Sequence, residues 1–129
     1  MAKTIIHSVK APAPIGPYSQ AVMAGNTLYV SGQIALDPES GNLVNSDIEA
    51  ETHQVMKNMQ AILEEAGMQL IDVVKCTIFV KDMNNFGRIN EVYGSYFQSS
   101  PPARETVEVS RLPKDVNVEI SCMAVKVLL

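Results

Sequence analysis

Between Pro102 and Glu119 the chain reads PARETVEVSRLPKDVNVE. An arginine, Arg104, opens one alternating segment. A glutamate, Glu119, sits in a second among valines and an isoleucine, and a Leu112-Pro113-Lys114-Asp115 turn separates the two. The spacing predicts a cation and a carboxylate on neighbouring strands. The guanidinium of Arg104 forks two parallel donors, which suits a carboxylate or a phosphate. Flanked by Val118 and Ile120, Glu119 is expected to be partly desolvated, which raises a carboxyl pKa, whereas a nearby arginine lowers it. In either case it is suited to positioning and deprotonating a water. Together the pair suits holding and hydrolysing a small charged substrate. The plainer alternative is an ion pair between the two, since structural arginines outnumber catalytic ones.

Other candidates are sparser. Tyr18, in the segment Gly16-Pro17-Tyr18-Ser19-Gln20, offers a hydroxyl donor to a substrate carboxylate, or else packs as an amphipathic aromatic beneath a proline-rich loop. Gly32, in Ser31-Gly32-Gln33, lets a ligand approach the backbone or marks a bulge. Cys76 and Cys122 fall in apolar strand-like runs and read as buried free thiols, with no spacing that suggests a metal. His7 and His53 have no ligand partners at suitable spacing, and His53 is expected on a helix surface. No GxGxxG, P-loop or GxSxG pattern supports a nucleotide cofactor or a serine hydrolase.

These residues must be positioned by the elements around them. Lys3 to Val9 is short and β-prone, and Ala11 to Pro17 is an irregular loop. Gln20–Ala24 and Thr27–Gln33 read as a hairpin around Gly25-Asn26. After a polar loop from Asp37 to Asn45, Ser46–Ala66 is the clearest helix. Ser46 and Glu49 fit a capping box, and Gly67 fits a left-handed stop. Its buried stripe is Ile48, Thr52, Val55, Met59, Ile62, Leu63 and Ala66. Ile71–Val80 is a strand with Val74, Cys76, Ile78 and Val80 on one face. Asn85 to Phe97 is a second helix, weakened by Gly87 and Gly94 unless these small residues permit close packing. Ala103–Val109 and Val116–Val127 are the last strands. On the first, Arg104, Thr106 and Glu108 lie opposite Val107 and Val109. On the second, Glu119 shares a side with Asn117, Ser121, Met123 and Val125. The order β-β-β-α-β-α-β-β is an α+β pattern. Two helices cover one face of a sheet of about six strands, and the other face is too apolar to be fully solvated. That face is expected to meet another subunit, with polar residues at a cleft in the contact.

The chain has 129 residues, 47% hydrophobic and 19% charged, which fits one domain over residues 1–129 with a single core. A net charge of -4 with scattered basic residues and no Trp argues against a nucleic-acid backbone or stacked bases as partner. No apolar run approaches the ~20 residues of a membrane-spanning helix, and the first residues lack the apolar core of a signal peptide. The expected location is the cytoplasm.

Taken together, Ile15-Gly16-Pro17-Tyr18-Ser19-Gln20, Val30-Ser31-Gly32-Gln33-Ile34, Val73 to Val80, Asn90-Glu91-Val92-Tyr93, Pro102-Ala103-Arg104 and Val107 through Leu112-Pro113-Lys114-Asp115 to Ile120 resemble the YjgF/RidA family of reactive-intermediate deaminases. The resemblance spans nearly the whole chain in order. It implies a chorismate-mutase-like α+β sandwich and a homotrimeric barrel with clefts at the subunit contacts. It also implies cofactor-free hydrolysis of 2-imino acids, such as 2-iminobutanoate and 2-iminopropanoate, to 2-oxo acids and ammonia. It assigns Arg104 to gripping the substrate carboxylate and Glu119 to orienting or activating water. Tyr18 would lie near the carboxylate, Gly32 would turn its backbone to the ligand, and Asn90 would reach the cleft from a helix. Thr106 stands where many deaminating members have cysteine, and the loop from Gln98 to Pro101 is short. Alternatives within the same resemblance are a non-catalytic trimer that binds small 2-oxo or amino acids, and a ribonuclease or translation inhibitor.

Overall fold

The computed structural model describes residues 2–126; Met1 and Val127, the expected end of the last strand, lie outside them. Six strands form one mixed sheet: β1 Thr4–Ile6, β2 Ala21–Ala24, β3 Thr27–Gln33, β4 Val73–Val80, β5 Ala103–Glu108 and β6 Val118–Val125. Their order across the sheet is β1-β2-β3-β6-β4-β5. Helices α1 (Ile48–Glu65) and α2 (Phe86–Tyr96) share one core with the sheet, built from Val55, Met59 and Ile62 of α1, Ile89 and Tyr93 of α2, and Leu28, Ile78 and Ile120 of the strands. The expected α+β architecture with both helices on one face is therefore present.

Local chemistry explains the element ends. Gly25 (φ 61) makes the β2–β3 hairpin turn and Gly67 (φ 73) follows α1, both in the region that only glycine enters without a Cβ penalty. The expected capping box does not form. Asp47 is the N-cap, and its carboxylate accepts from the Ala50 amide at 2.7 Å. An ionised Asp one residue later serves the same free donors and favours the positive helix end. Glu49 is thereby released to pair with Arg88 of α2 at 2.6 Å.

Two further expectations are corrected. Val74 is 47% exposed, while Val73 is buried. A register shift against β6 between Val73 and Lys75 inserts an extra residue, and a bulge of this kind turns the following side chain to the other face. Second, the strands carrying Arg104 and Glu119 are not neighbours. β4 lies between β5 and β6, parallel to one and antiparallel to the other. The run from Val109 to Asn117 crosses the end of β4, where Val109 donates to the Val80 carbonyl and Lys81 to that of Asn117. Leu112 and Val116 of that run close a second small core with Ile34 and Leu36. Gly87 and Gly94 have open space beside them, so within the described residues neither serves close packing.

Candidate functional site

Sheet register decides which candidate residues meet. Arg104 pairs with Cys76, Cys76 with Cys122, and Cys122 with Val30. Cys76 is fully buried beneath the helices, so this row, Arg104 included, faces the helix side. Thr106, Ile78 and Ile120 form the next row on the same side. Val107, Phe79 and Glu119 form the row one step beyond the second of these, and alternation along each strand turns it to the opposite face. Arg104 and Glu119 of one chain therefore stand on opposite faces of the sheet, and the ion pair between them does not form.

The Arg104 region is built by α2 and the start of β5. Phe86, Asn90 and Tyr93 recur at helical spacing and share one face of α2. The Arg104 guanidinium lies 5.4 Å from the Phe86 ring centroid and 5.1 Å from that of Tyr93, within cation–π range. Its Nη1 donates to Asn90 Oδ1 at 2.6 Å. Among the described residues it has no carboxylate partner, whereas Lys75, Arg88 and Arg111 each do. A positioned, exposed cation thus keeps most of its donors free beside a cavity of about 380 Å³ walled by Tyr93, Phe97, Pro101 and Pro102. Asn90 lines this cavity, but its amide oxygen is engaged in holding the arginine. The Thr106 hydroxyl, on the same face of β5, is buried without a hydrogen-bond partner, as is that of Tyr93. Burial, with the Cys76 thiol beside it, pushes the Tyr93 phenol well above its ordinary pKa.

The Glu119 region lies on the other face. Tyr18, Ser31, Gly32, Pro113 and Glu119 line a cavity of about 400 Å³. Burial alone raises the Glu119 pKa above the ordinary carboxylate value. A Cβ on Gly32 would lie 2.7 Å from Glu119 Cδ and 2.9 Å from Oε2, so the missing side chain is the space that the carboxylate occupies. Gly32 also falls in the register shift between Val30 and Gln33; bulge and close approach coincide. Tyr18 is 49% exposed, and its hydroxyl oxygen accepts from the Ile15 amide at 3.3 Å. That leaves the phenolic proton free to donate into the cavity. A larger hollow of about 460 Å³ beside Gln60, Glu64 and Ile71 offers one exposed carboxylate and no cation.

Cys76 and Cys122 are buried free thiols, as expected, both pushed up in pKa by burial, which makes them poor nucleophiles. His53 is exposed, and its Nδ1 lies 2.8 Å from the Tyr96 hydroxyl. Among the described residues no cluster of His, Cys, Asp and Glu is arranged to hold a metal, and no helix is long and apolar enough to cross a membrane. Sequence reasoning placed Phe86 and Tyr93 in an apolar helix face and missed them as the platform for Arg104. Their spacing around Asn90 was the available signal.

A mixed six-stranded sheet covered on one face by two helices, with a free cation on one face and a partly buried acid on the other, defines a class of small α+β proteins with open polar clefts. The chain belongs to the YjgF/RidA family. It matches the family model described as Endoribonuclease L-PSP over residues 8–126. It is 56% identical over 126 residues to a RutC family protein of Pyrococcus abyssi, covering 98% of this chain and 99% of that protein. It is 48% identical over 124 residues to a 2-iminobutanoate/2-iminopropanoate deaminase of Mus musculus, covering 96% and 92%. The crystal structure of a Rid family protein, YyfA of Yersinia pestis, superimposes with a TM-score of 0.94 at 48% identity, covering 97% of this chain and all of that one.

Proposed function

We propose that this chain is a hydrolytic deaminase that converts 2-imino acids, such as 2-iminobutanoate and 2-iminopropanoate, to 2-oxo acids and ammonia without a cofactor. Residues 1–129 act as one domain within a homotrimer. Each cleft joins the Arg104 region of one subunit to the Glu119 region of another. The observation that carries this reading is the separation itself: the residues suited to gripping a carboxylate and those suited to activating water lie on opposite faces of one chain, each beside its own cavity. Tyr29, Val107 and Met123 are exposed. They lie in rows that face away from the helices, pairing with one another or with neighbours of Glu119, and give that face an apolar surface for a second subunit.

In the proposed cleft Arg104 forks the substrate carboxylate, with Asn90 fixing the guanidinium and the Thr106 hydroxyl available as a further contact. The protonated imine is already electrophilic, so positioning supplies much of the catalysis. Glu119 removes a proton from water as the water oxygen bonds to C2, giving a carbinolamine. It returns that proton to the amino group. Ammonia then departs as the C–N bond breaks and the carbonyl forms, and Glu119 takes the hydroxyl proton and passes it to ammonia. Tyr18 donates from the Glu119 side to the carboxylate. Gly32 keeps room for the catalytic carboxylate.

A non-catalytic binding trimer has less use for a partly buried acid raised above its ordinary pKa. An RNA-cleaving role, which the family description suggests, is less well served by a chain of net charge -4 whose Lys75, Arg88 and Arg111 are tied to carboxylates. The deciding experiment generates 2-iminobutanoate with a threonine dehydratase, traps it with semicarbazide and follows its loss. Faster loss in the presence of the protein supports the deaminase. No acceleration from a folded trimer moves the assignment to small-molecule binding.

A further inference from the structure

We propose that Glu51 is a positioning residue for Glu119, acting from the core of α1 through Asn117; this rests on the catalytic reading of Glu119 above. Glu51 is fully buried. Its Oε2 accepts from the Asn117 backbone amide at 2.7 Å and its Oε1 from Asn117 Nδ2 at 2.8 Å. Two charge-assisted bonds to one residue fix both its backbone and its side chain. Asn117 is the last residue of the crossing run, two before Glu119, and its carbonyl is held in turn by the Lys81 amide at 3.1 Å. β6 therefore starts from an anchored point, and Pro113 of the same run lines the Glu119 cavity.

The same helix also holds the opposite wall. Asn58, two turns further along α1 and also buried, donates from Nδ2 to the Ile34 and Leu36 carbonyls at 3.0 and 2.9 Å. Ile34 lines the Glu119 cavity as well. Both residues put polar groups on a face whose neighbours Val55, Met59 and Ile62 are fully buried and apolar. Burying a carboxylate there is costly unless it is fully hydrogen-bonded, and an apolar residue would stabilise the helix packing with less risk. Ile34, Leu36 and Asn117 lie outside the six strands, and these side chains supply further hydrogen-bond partners to their backbone. Thr52 provides the contrast: it is equally buried, but its hydroxyl donates to the Ile48 carbonyl within the helix rather than to either wall.

The chemistry of the clamp gives a reciprocal test. In Glu51→Gln the amide oxygen accepts from the Asn117 backbone and the Nε2 donates to the flipped side-chain oxygen of Asn117, so the clamp survives. In Glu51→Ala it is lost, and in Asn117→Asp two carboxylates face each other. In the double variant Glu51→Gln/Asn117→Asp donor and acceptor are restored. We expect kcat on 2-iminobutanoate to fall about tenfold or more in Glu51→Ala, because small misplacements of a catalytic group are costly. KM, set by Arg104, stays within about twofold of wild type. Glu51→Gln and the double variant retain near wild-type kcat, whereas Asn117→Asp does not. Thr52→Val lowers Tm but leaves kcat and KM alone. A folded Glu51→Ala trimer with unchanged kcat overturns the proposal. If Glu51→Ala does not fold, the pair Asn117→Asp and Glu51→Gln/Asn117→Asp decides: recovery in the double variant supports the clamp and none overturns it. If the wild-type protein hydrolyses no imine, the same variants are compared by hydrogen exchange at the amides of residues 117–119 and by the carboxyl ¹³C resonance of Glu119. Changes seen in Glu51→Ala and Asn117→Asp that are absent from Thr52→Val and from the double variant support positioning; identical behaviour overturns it.

Discussion

The Arg104 and Glu119 regions solve opposite electrostatic problems. Arg104 is exposed and charged, held by a side-chain amide and two aromatic faces on one regular helix. These contacts orient a guanidinium without neutralising it, which is what a carboxylate clamp needs. Glu119 is partly buried, with its carboxylate against the backbone of a glycine and its pKa raised by the loss of water. It sits near the start of β6, beside an irregular backbone that α1 pins from within the core. One region is suited to ground-state binding and the other to proton transfer, and each lacks what the other has. A chain that keeps them on opposite faces avoids the internal ion pair that would neutralise both.

The largest effect is expected from Arg104→Ala, which removes the carboxylate grip. Turnover of 2-iminobutanoate should fall below detection while the circular dichroism and the oligomeric state stay unchanged, because Arg104 contributes an exposed side chain to an edge strand. Measurable residual turnover would place the grip elsewhere. Mixing this variant with Glu119→Gln then tests the division between subunits. Each is inactive alone, but unfolding and refolding an equal mixture makes mostly hybrid trimers, each with one intact cleft, and should restore about a quarter of wild-type activity. No recovery would mean that one chain supplies both groups.

Glu119→Gln alone should lower kcat by about 10²- to 10⁴-fold, in the range of general base catalysis, with ligand affinity retained. The wild-type pH profile carries the same information. Glu119 acts as a carboxylate, so activity is lost as pH falls through its raised pKa, and the acid limb should lie above the ordinary carboxylate range. The stability sign follows as well. A group with a raised folded-state pKa favours the fold at pH below the ordinary value and loses that contribution as pH rises through the raised one. Glu119→Gln should therefore raise Tm at neutral pH, and the gain should vanish in acid. A variant that is less stable at neutral pH would point to a structural role for the charge.

What was legible in the sequence follows the same division. Periodicity located both helices and all six strands to within a few residues, since most of them have a clear apolar face. The candidate residues were legible by type, and their alternation placed Arg104 and Thr106 on one side of β5. Which side met Glu119 was not legible, because adjacency in sequence suggested a hairpin across Leu112–Asp115. Only the insertion of β4 between β5 and β6 reverses that expectation. Glu51 and Asn58 escaped because an apolar stripe is recognised by hydrophobic residues, and polar members of a buried face lack that mark. The cap at Asp47 was displaced by one residue for a similar reason: Ser46 and Asp47 are both good caps, and the choice depends on where the first turn docks.

A subtler perturbation is Gly32→Ala. The new methyl would meet the far end of a flexible side chain rather than backbone, so the fold should persist while the Glu119 carboxylate moves aside. We expect kcat to fall about tenfold, with little change in Tm and none in the affinity set by Arg104. A Gly32→Ala variant that turns over normally would show that the carboxylate position is less restricted than its contact with Gly32 suggests.

The smallest effect, and the finest probe of the Arg104 side, belongs to Thr106. Its hydroxyl is buried and unpaired, a state that costs about 1–3 kcal/mol unless a ligand or water completes it. If the substrate does so, Thr106→Val should gain stability of about 1 kcal/mol while KM rises several-fold and kcat barely changes. Thr106→Cys keeps a weak donor at the same place and should leave KM and kcat within about threefold of wild type, since no step above requires a sulfur. A large gain in kcat on introducing cysteine would show that the thiol has a chemical role that threonine has forfeited. A loss of both stability and affinity in the valine variant would show that the hydroxyl serves the fold, leaving Arg104 and Asn90 as the whole of the carboxylate grip.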